Sequence, residues 1–255
     1  LKEIAKELTI YENTRAVEIK NNIVTTDKYI IAAKAIVIAT HYPIINFPGY
    51  YFMRMHQERS YVIALENAQN INGMYIGIDE EGYSFREYKN LLLLGGGSHR
   101  CGDNEVGGRY EELRKVAKRI YPEAKEVYNW SAQDCMPADD IPFIGQYSKE
   151  TPNLYVATGF KKWGMTTAMV SAMIITDMIK GRKSEYAEIF SPKRFDISDS
   201  MANIIKDGVE AIKGLTSQFF HIPDAELKDI KAGHGGIIEY KGEKVRSEER
   251  RVGKE

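Results

Sequence analysis

The sequence predicts a mixed α/β (α+β) fold in which a domain with doubly covered strands and an antiparallel sheet are woven through one another. Three observations carry this. Two apolar runs, Ala35–Thr40 and Leu154–Val156, are continuous rather than alternating, as in strands covered on both faces. The stretch from Ser60 to Gly96 instead offers four short runs separated by turn residues, the signature of hairpins. The longest apolar segment, from Gly164 to about Lys180 with Gly181 as its stop, is spaced as a helix.

Taken in order, Leu1 to Leu8 reads as the end of an amphipathic helix and Thr9 to Asn13 as a strand. Arg15–Ile19, Ile23–Thr25 and Tyr29–Ile31, broken by Lys20-Asn21-Asn22, make a small meander. Ala35–Thr40 is expected to be a central, doubly covered strand, ended by His41-Tyr42-Pro43. Tyr61–Leu65, Met74–Ile78, Ser84–Tyr88 and Leu91–Leu94 are strands of the antiparallel sheet. Arg109–Ile120 is an amphipathic helix, Lys125–Trp130 a strand, and Trp130–Gly145 a polar loop fixed by Pro137, Pro142 and Gly145, in which Asp139 could cap a turn. Ser198–Ile212 reads as a surface helix and Ile222-Pro223-Asp224 as a linker. GGIIEYKGEKV (Gly235–Val245) reads as two strands about Lys241-Gly242. The last ten residues, RSEERRVGKE, leave that pattern. Back-translated, they match a widely used sequencing-adapter sequence, so the frame is expected to run into adapter there, and a charged tail is the alternative.

Composition excludes several classes. A formal net charge of −1 over 255 residues gives no electrostatic footprint for nucleic acid or an anionic membrane. The run Met165–Ile179 carries Asp177 and is too short to span a bilayer, and no signal peptide is visible, so a cytoplasmic setting is expected. Two cysteines, Cys101 and Cys135, form no disulfide framework and suggest a reducing compartment. The five histidines are scattered and no C-x-x-C or C-x-H occurs, so no metal site is expected. There is no G-x-S-x-G elbow and no phosphate loop. Gly95-Gly96-Gly97-Ser98-His99-Arg100 follows a strand, but Arg100 stands where a dinucleotide fingerprint needs its third glycine; a turn or a close backbone approach is the expected role.

The segment NLYVATGFKKWGMTTAMVSAMIITDMIKG (Asn153–Gly181) is a strand, a glycine turn and a helix whose first amides are uncrowded. Such a helix start suits an electron-rich group; a buried core helix after a turn has the same pattern. Ala168, Ala172 and Thr176 form a stripe small enough for close backbone approach, and Met165, Met169, Met173, Ile175 and Ile179 are expected to fill the neighbouring faces.

W-S-A-Q-D…D-x-x-P-x-I-G at residues 130–145, followed by P-N-L-Y-V-A-T-G-F-x-x-W-G-M-T, resembles the C-terminal half of FAD-dependent oxidoreductases of the D-amino-acid/glycine oxidase type. The bacterial branch that carries a C-terminal Rieske [2Fe–2S] domain is the nearest in pattern. The resemblance covers roughly Leu1–Phe195, with 225–245 as the opening hairpin of a Rieske-like domain. It implies a partial FAD-binding, Rossmann-like domain at 1–59 and 131–195, an antiparallel-sheet substrate domain at 60–130 and a helix and linker at 196–224; 246–255 is the adapter segment.

The resemblance also implies roles. Val17 would meet the FAD adenine through its backbone. Ala39, Thr40 and His41 would pack on phosphate and ribose, with His41 standing where the family has glycine. Gly159 forms the turn, and Gly164, Met165 and Thr166 lie by the pyrimidine edge of the flavin, preceded by Lys162 and Trp163. Amides there would stabilise the negative charge of a reduced flavin, with Lys161 or Lys162 adding to the field. The βαβ unit with its glycine-rich pyrophosphate loop, the arginine that holds a substrate carboxylate (expected at 133–137) and the Rieske ligands are all missing from this sequence. Arg59, His99 and Gln133 are the substrate-cavity candidates, with Arg59 or Arg100 able to replace the absent arginine.

The expected whole is a flavoprotein oxidising a small, amine- or amino-acid-like substrate by hydride transfer to FAD, with electrons leaving through a Rieske cluster to an acceptor the sequence does not name. A cofactor-free binding scaffold is one alternative; a flavin-dependent transferase using Cys135 is another.

Overall fold

The computed structural model describes residues 3, 6–79, 82–101 and 108–194, together with the backbone of 236–240 and 243–247. The chain divides into two compact units, residues 1–55 with 137–197 and residues 56–136 with 198–255. The expected helix at 198–212 and linker at 222–224 lie outside the described residues.

The first unit opens on the meander β1 (Ala16–Lys20), β2 (Ile23–Thr26) and β3 (Ile30–Ala32), paired antiparallel in that order. Residues 9–13 are not a strand, and Ile10 and Tyr11 are exposed: no neighbouring strand among the described residues pairs with this segment. The second sheet has the order β10-β11-β4, from β10 (Phe143–Gln146), β11 (Leu154–Thr158) and β4 (Ile36–Ile38). β11 and β4 run parallel, pairing Leu154 with Ile36 and Val156 with Ile38. All five residues of β11 are buried, as its continuous apolar run predicts. β4 corrects its expectation, because among the described residues it is the edge strand and Val37 is exposed. A one-turn helix α1 (Tyr51–Arg54) precedes the crossing to the second unit.

The helix α3 (Gly164–Ile179) packs Ile174 and Ile175 with Ile144, Tyr155 and Ala157. Gly181, with φ of 68°, adopts the left-handed conformation of a helix stop. Only one side of α3 is covered among the described residues. Ala168, Ala172 and Thr176 are exposed, and so are Met165, Met169, Met173 and Ile179, so of the expected apolar faces only that of Ile175 is buried.

The second unit is a five-stranded antiparallel sheet of order β6-β7-β8-β5-β9. Its strands are β5 (Met55–Glu66), β6 (Met74–Ile76), β7 (Ser84–Tyr88), β8 (Leu91–Arg100) and β9 (Lys125–Pro137). The helix α2 (Arg109–Ile120) carries Glu111 and Glu112 in its first turn and Lys118 and Arg119 in its last, complementing the helix dipole. Its buried stripe of Leu113, Val116 and Ala117 packs on Ile63, Leu65, Leu92 and Leu94.

Two expectations change here. The glycines 95–97 lie inside β8 and make no turn; the close-approach role is the one observed. A Cβ on Gly96 would stand 2.5 Å from Tyr83 Cδ1, and one on Gly95 2.6 Å from Ser84 Oγ. Residues 130–145 are mostly strand, because β9 continues to Pro137 and β10 begins at Phe143, leaving a short turn between. The C-terminal hairpin forms as β12 (Gly236–Tyr240) and β13 (Glu243–Ser247), and its ladder runs through Arg246 and Ser247, two residues into the segment expected to leave the pattern.

Candidate functional site

Because β4 and β11 are parallel, their carboxyl ends lie side by side, the place where open α/β sheets bind ligands. The chain leaves β4 through Ala39-Thr40-His41 and leaves β11 through Thr158-Gly159. Thr158, 2% exposed, donates its hydroxyl hydrogen to the His41 carbonyl and so ties the two exits together. Thr40 donates to the carbonyl of Tyr42 at 2.8 Å. His41 adopts φ of 65°, in the left-handed region that favours glycine.

Gly159 has φ of 73°, and a Cβ on it would lie 2.6 Å from Pro137 Cγ. Glycine is therefore required twice, by conformation and by space. The turn then passes Lys161, whose ammonium binds Asp140 Oδ1 at 2.7 Å, and closes with the Trp163 amide on the Phe160 carbonyl at 2.9 Å. Lys161 is thus tied to a carboxylate, which weakens its expected field on a ligand; Lys162 and Trp163 are exposed.

At the start of α3 no side chain caps the helix. The first amides of a helix have no intrahelical acceptor, so those of Gly164, Met165 and Thr166 remain donors to a ligand. Apart from its chain neighbours and the helix's own backbone, no described residue comes within 4 Å of where a Gly164 Cβ would be, and Met165 is 88% exposed. Thr166 donates its hydroxyl to the Trp163 carbonyl at 3.2 Å, holding the last residue before the helix. Uncapped donors, the positive end of a 16-residue helix and open space at its first glycine together fit an electron-rich ring edge. Val17, in the meander, falls at the register shift of β1, between the Ala16–Thr26 and Glu18–Thr25 pairs.

The floor under the turn went unseen in the sequence. Arg194, in the 3₁₀ segment Pro192–Arg194, grips Asp139 with Nε–Oδ2 at 2.7 Å and Nη2–Oδ1 at 3.0 Å. Burial pushes the Asp139 carboxyl up, but the hydrogen bonds and charge of Arg194 outweigh it and hold the group below the usual carboxylate range. The expected turn cap by Asp139 is present, since Oδ1 accepts from the Ile141 amide at 3.3 Å. Arg194 and Arg54 both stack on Phe143, at 4.0 and 4.3 Å from its centroid. Burial, with the like charge of Arg194 also acting, pulls the Arg54 guanidinium below its ordinary value, although Tyr51 opposes this. Nothing but a lone Arg in S-P-K-R marks this cluster in the sequence, because its members meet across more than fifty residues.

The substrate-side candidates all lie in the second unit. Arg59 and His99 are cross-strand partners on β5 and β8. Arg59 Nη1 donates to Ser131 Oγ at 3.2 Å, and Gln133 on the same strand β9 reaches Cys101 Sγ at 2.9 Å. His99 Nε2 is 3.0 Å from the Tyr61 hydroxyl, and Nδ1 is 3.0 Å from the Arg100 carbonyl. The carbonyl only accepts, so Nδ1 carries a proton, and in the neutral ring Nε2 accepts from Tyr61. Cys135 is fully buried, which suits a small apolar core residue and not the nucleophile of a transferase. Among the described residues no group of three or more His, Cys, Asp or Glu could hold a metal ion.

A family model described as FAD dependent oxidoreductase matches residues 2–178. The chain belongs to this FAD dependent oxidoreductase family. It is 34% identical over 246 residues to YhfW of Bacillus subtilis (strain 168), a protein whose name provisionally describes it as a Rieske 2Fe-2S iron-sulfur protein. That match takes in 92% of this chain and 48% of YhfW, so the chain spans about half the length of its curated relative. Among solved structures, an L-proline dehydrogenase from P. horikoshii aligns with a TM-score of 0.59 at 20% identity, over 73% of this chain and 54% of the other. A glycine oxidase from Geobacillus kaustophilus aligns with a TM-score of 0.55 at 21% identity, over 73% and 53%. These two share the fold. No helix among the described residues is long and apolar enough to cross a membrane.

Proposed function

We propose that this chain is the flavin-tuning half of a cytoplasmic FAD-dependent oxidoreductase that oxidises a small amine or amino-acid-like substrate. The observation that supports it most is the uncapped start of α3, with open space at Gly164, beside the carboxyl ends of two parallel strands. FAD, when bound, accepts a hydride equivalent from a carbon next to nitrogen.

The chain's own residues hold and orient the group. Amides at Gly164, Met165 and Thr166 donate to the pyrimidine edge, and the Val17 backbone, at the register shift of β1, takes the adenine. Ala39, Thr40 and His41 shape the exit of β4, Gly159 lets the turn lie on Pro137, and Lys162 and Trp163 border the edge from solvent. Arg59, positioned by Ser131, is assigned to an anionic group of the substrate, with His99 and Gln133 beside it on the sheet. Much of the rate in such a site comes from orientation, so no strongly shifted acid or base is required. No G-x-G-x-x-G occurs in this sequence, so the pyrophosphate is not assigned to any residue here. The name of the Bacillus relative supports onward transfer of electrons to a Rieske cluster.

Purification of the full-length protein tests this. Bound flavin, released on denaturation and bleached by a small amine or amino acid, is expected; a colourless protein that takes up no FAD would overturn the proposal.

A further inference from the structure

The segment that follows α3 folds back on its own unit. The Ile144 amide donates to the Phe190 carbonyl at 2.8 Å, so residue 190 extends the hydrogen bonding of β10. Lys193 Nζ reaches Gln146 Oε1 at 2.6 Å, and Arg54 donates to the Pro192 carbonyl. This return path delivers Arg194 to the turn between β9 and β10. There its guanidinium grips both oxygens of Asp139 and donates to the carbonyls of Pro142 (3.1 Å) and Ile141. One side chain therefore fixes residues 139, 141 and 142 together.

That turn is what the cofactor-facing turn rests on. At one end Pro137 packs so closely on Gly159 that no Cβ fits between them. At the other, Asp140 holds Lys161, and both residues take the strained left-handed conformation, φ 63° and 53°. Two residues beyond Lys161 come Trp163 and the start of α3. From Arg194 the connection runs through Asp139 and Asp140 to Lys161 and so to the helix amides.

We propose that Arg194 is a positioning residue for the α3 amides: it sets the turn at 159–163 through the Asp139–Asp140 turn and touches no ligand itself. This rests on the reading of α3 as the flavin edge. A planar fork matched to a carboxylate does this, and a point-charge ammonium does it less well.

The test uses the full-length FAD-loaded protein and reads FAD affinity, the flavin absorption envelope and the reduction potential, with thermal unfolding measured alongside. Arg194→Ala is expected to weaken FAD binding about tenfold, shift the absorption envelope and lower the potential, because donors to the reduced form are misplaced. Arg194→Lys is expected to recover part of each. Should Arg194→Ala not fold, Lys161→Gln and Asp140→Ala carry the test, because they cut the same largely exposed tie with opposite changes of charge. Both are expected to lower the potential; shifts of opposite sign would report a bare field and overturn the proposal. An Arg194→Ala protein with lower thermal stability and unchanged flavin properties would also overturn it. Gly164→Val separates the two levels: if it is silent, the reading of α3 fails and takes the proposal with it, whereas if only the Arg194, Lys161 and Asp140 variants are silent, the proposal alone fails.

Discussion

Thr158 donates its hydroxyl hydrogen to the backbone carbonyl of His41, joining the exit of β11 to the exit of β4. This bond spans 117 residues of sequence and lies at the carboxyl ends of the parallel pair, so it ties the two strand exits together. Thr158→Val keeps the shape and removes the donor, stranding an acceptor beside a buried position. A loss of about 1–3 kcal/mol in urea unfolding is expected, with weaker FAD binding. Thr158→Ser, which keeps the hydroxyl, should restore most of both; equal losses in the two variants would show that packing, and not the bond, matters.

Gly96 makes a prediction that separates stability from the site. Its Cβ would strike the Tyr83 ring, itself fixed by a 3.0 Å hydrogen bond to Glu112. Gly96→Ala is expected to cost about 1–3 kcal/mol as an overpacked core, lowering the urea midpoint, while the flavin spectrum of the folded protein stays unchanged. A changed spectrum would mean that the β8 glycines serve the ligand.

Acid titration should expose the Asp139–Arg194 pair. The folded-state carboxyl is held below its unfolded value, so its stabilisation is complete above that unfolded value and is lost as pH falls through the lower folded one. The stability difference between the native protein and Asp139→Asn is expected to hold from neutral pH down to about pH 5 and shrink below about pH 4. A difference that grew on acidification would contradict the assigned direction.

Local pattern made much of the fold legible. The helix at 109–120 and its buried stripe, the hairpins of the second unit and the glycine stop at Gly181 all follow from periodicity and turn chemistry acting over a few residues. What escaped depended on partners far away in sequence. Val37 reads as doubly covered but is exposed, and the small-residue stripe of α3 reads as suited to close backbone approach but is exposed. The expected loop at 130–145 is largely strand because β9 gains its partner β5 from seventy residues upstream, which no window on the loop itself shows. At the site, Gly159 and Gly164 were visible through the motif that carries them. The side chains that hold them in place, Thr158, Asp140 and Arg194, have no local signature.

The central claim is that the start of α3 receives the flavin's pyrimidine edge, and Gly164→Val tests it most directly. No described residue beyond the chain neighbours and the helix backbone crowds the new Cβ, so the apo protein should unfold within about 0.5 kcal/mol of the native protein. FAD binding to the full-length protein, measured by flavin fluorescence quenching, is expected to weaken by at least about tenfold, because the branched side chain fills the ligand's place. Native-like FAD affinity and an unchanged flavin spectrum in Gly164→Val would contradict the account.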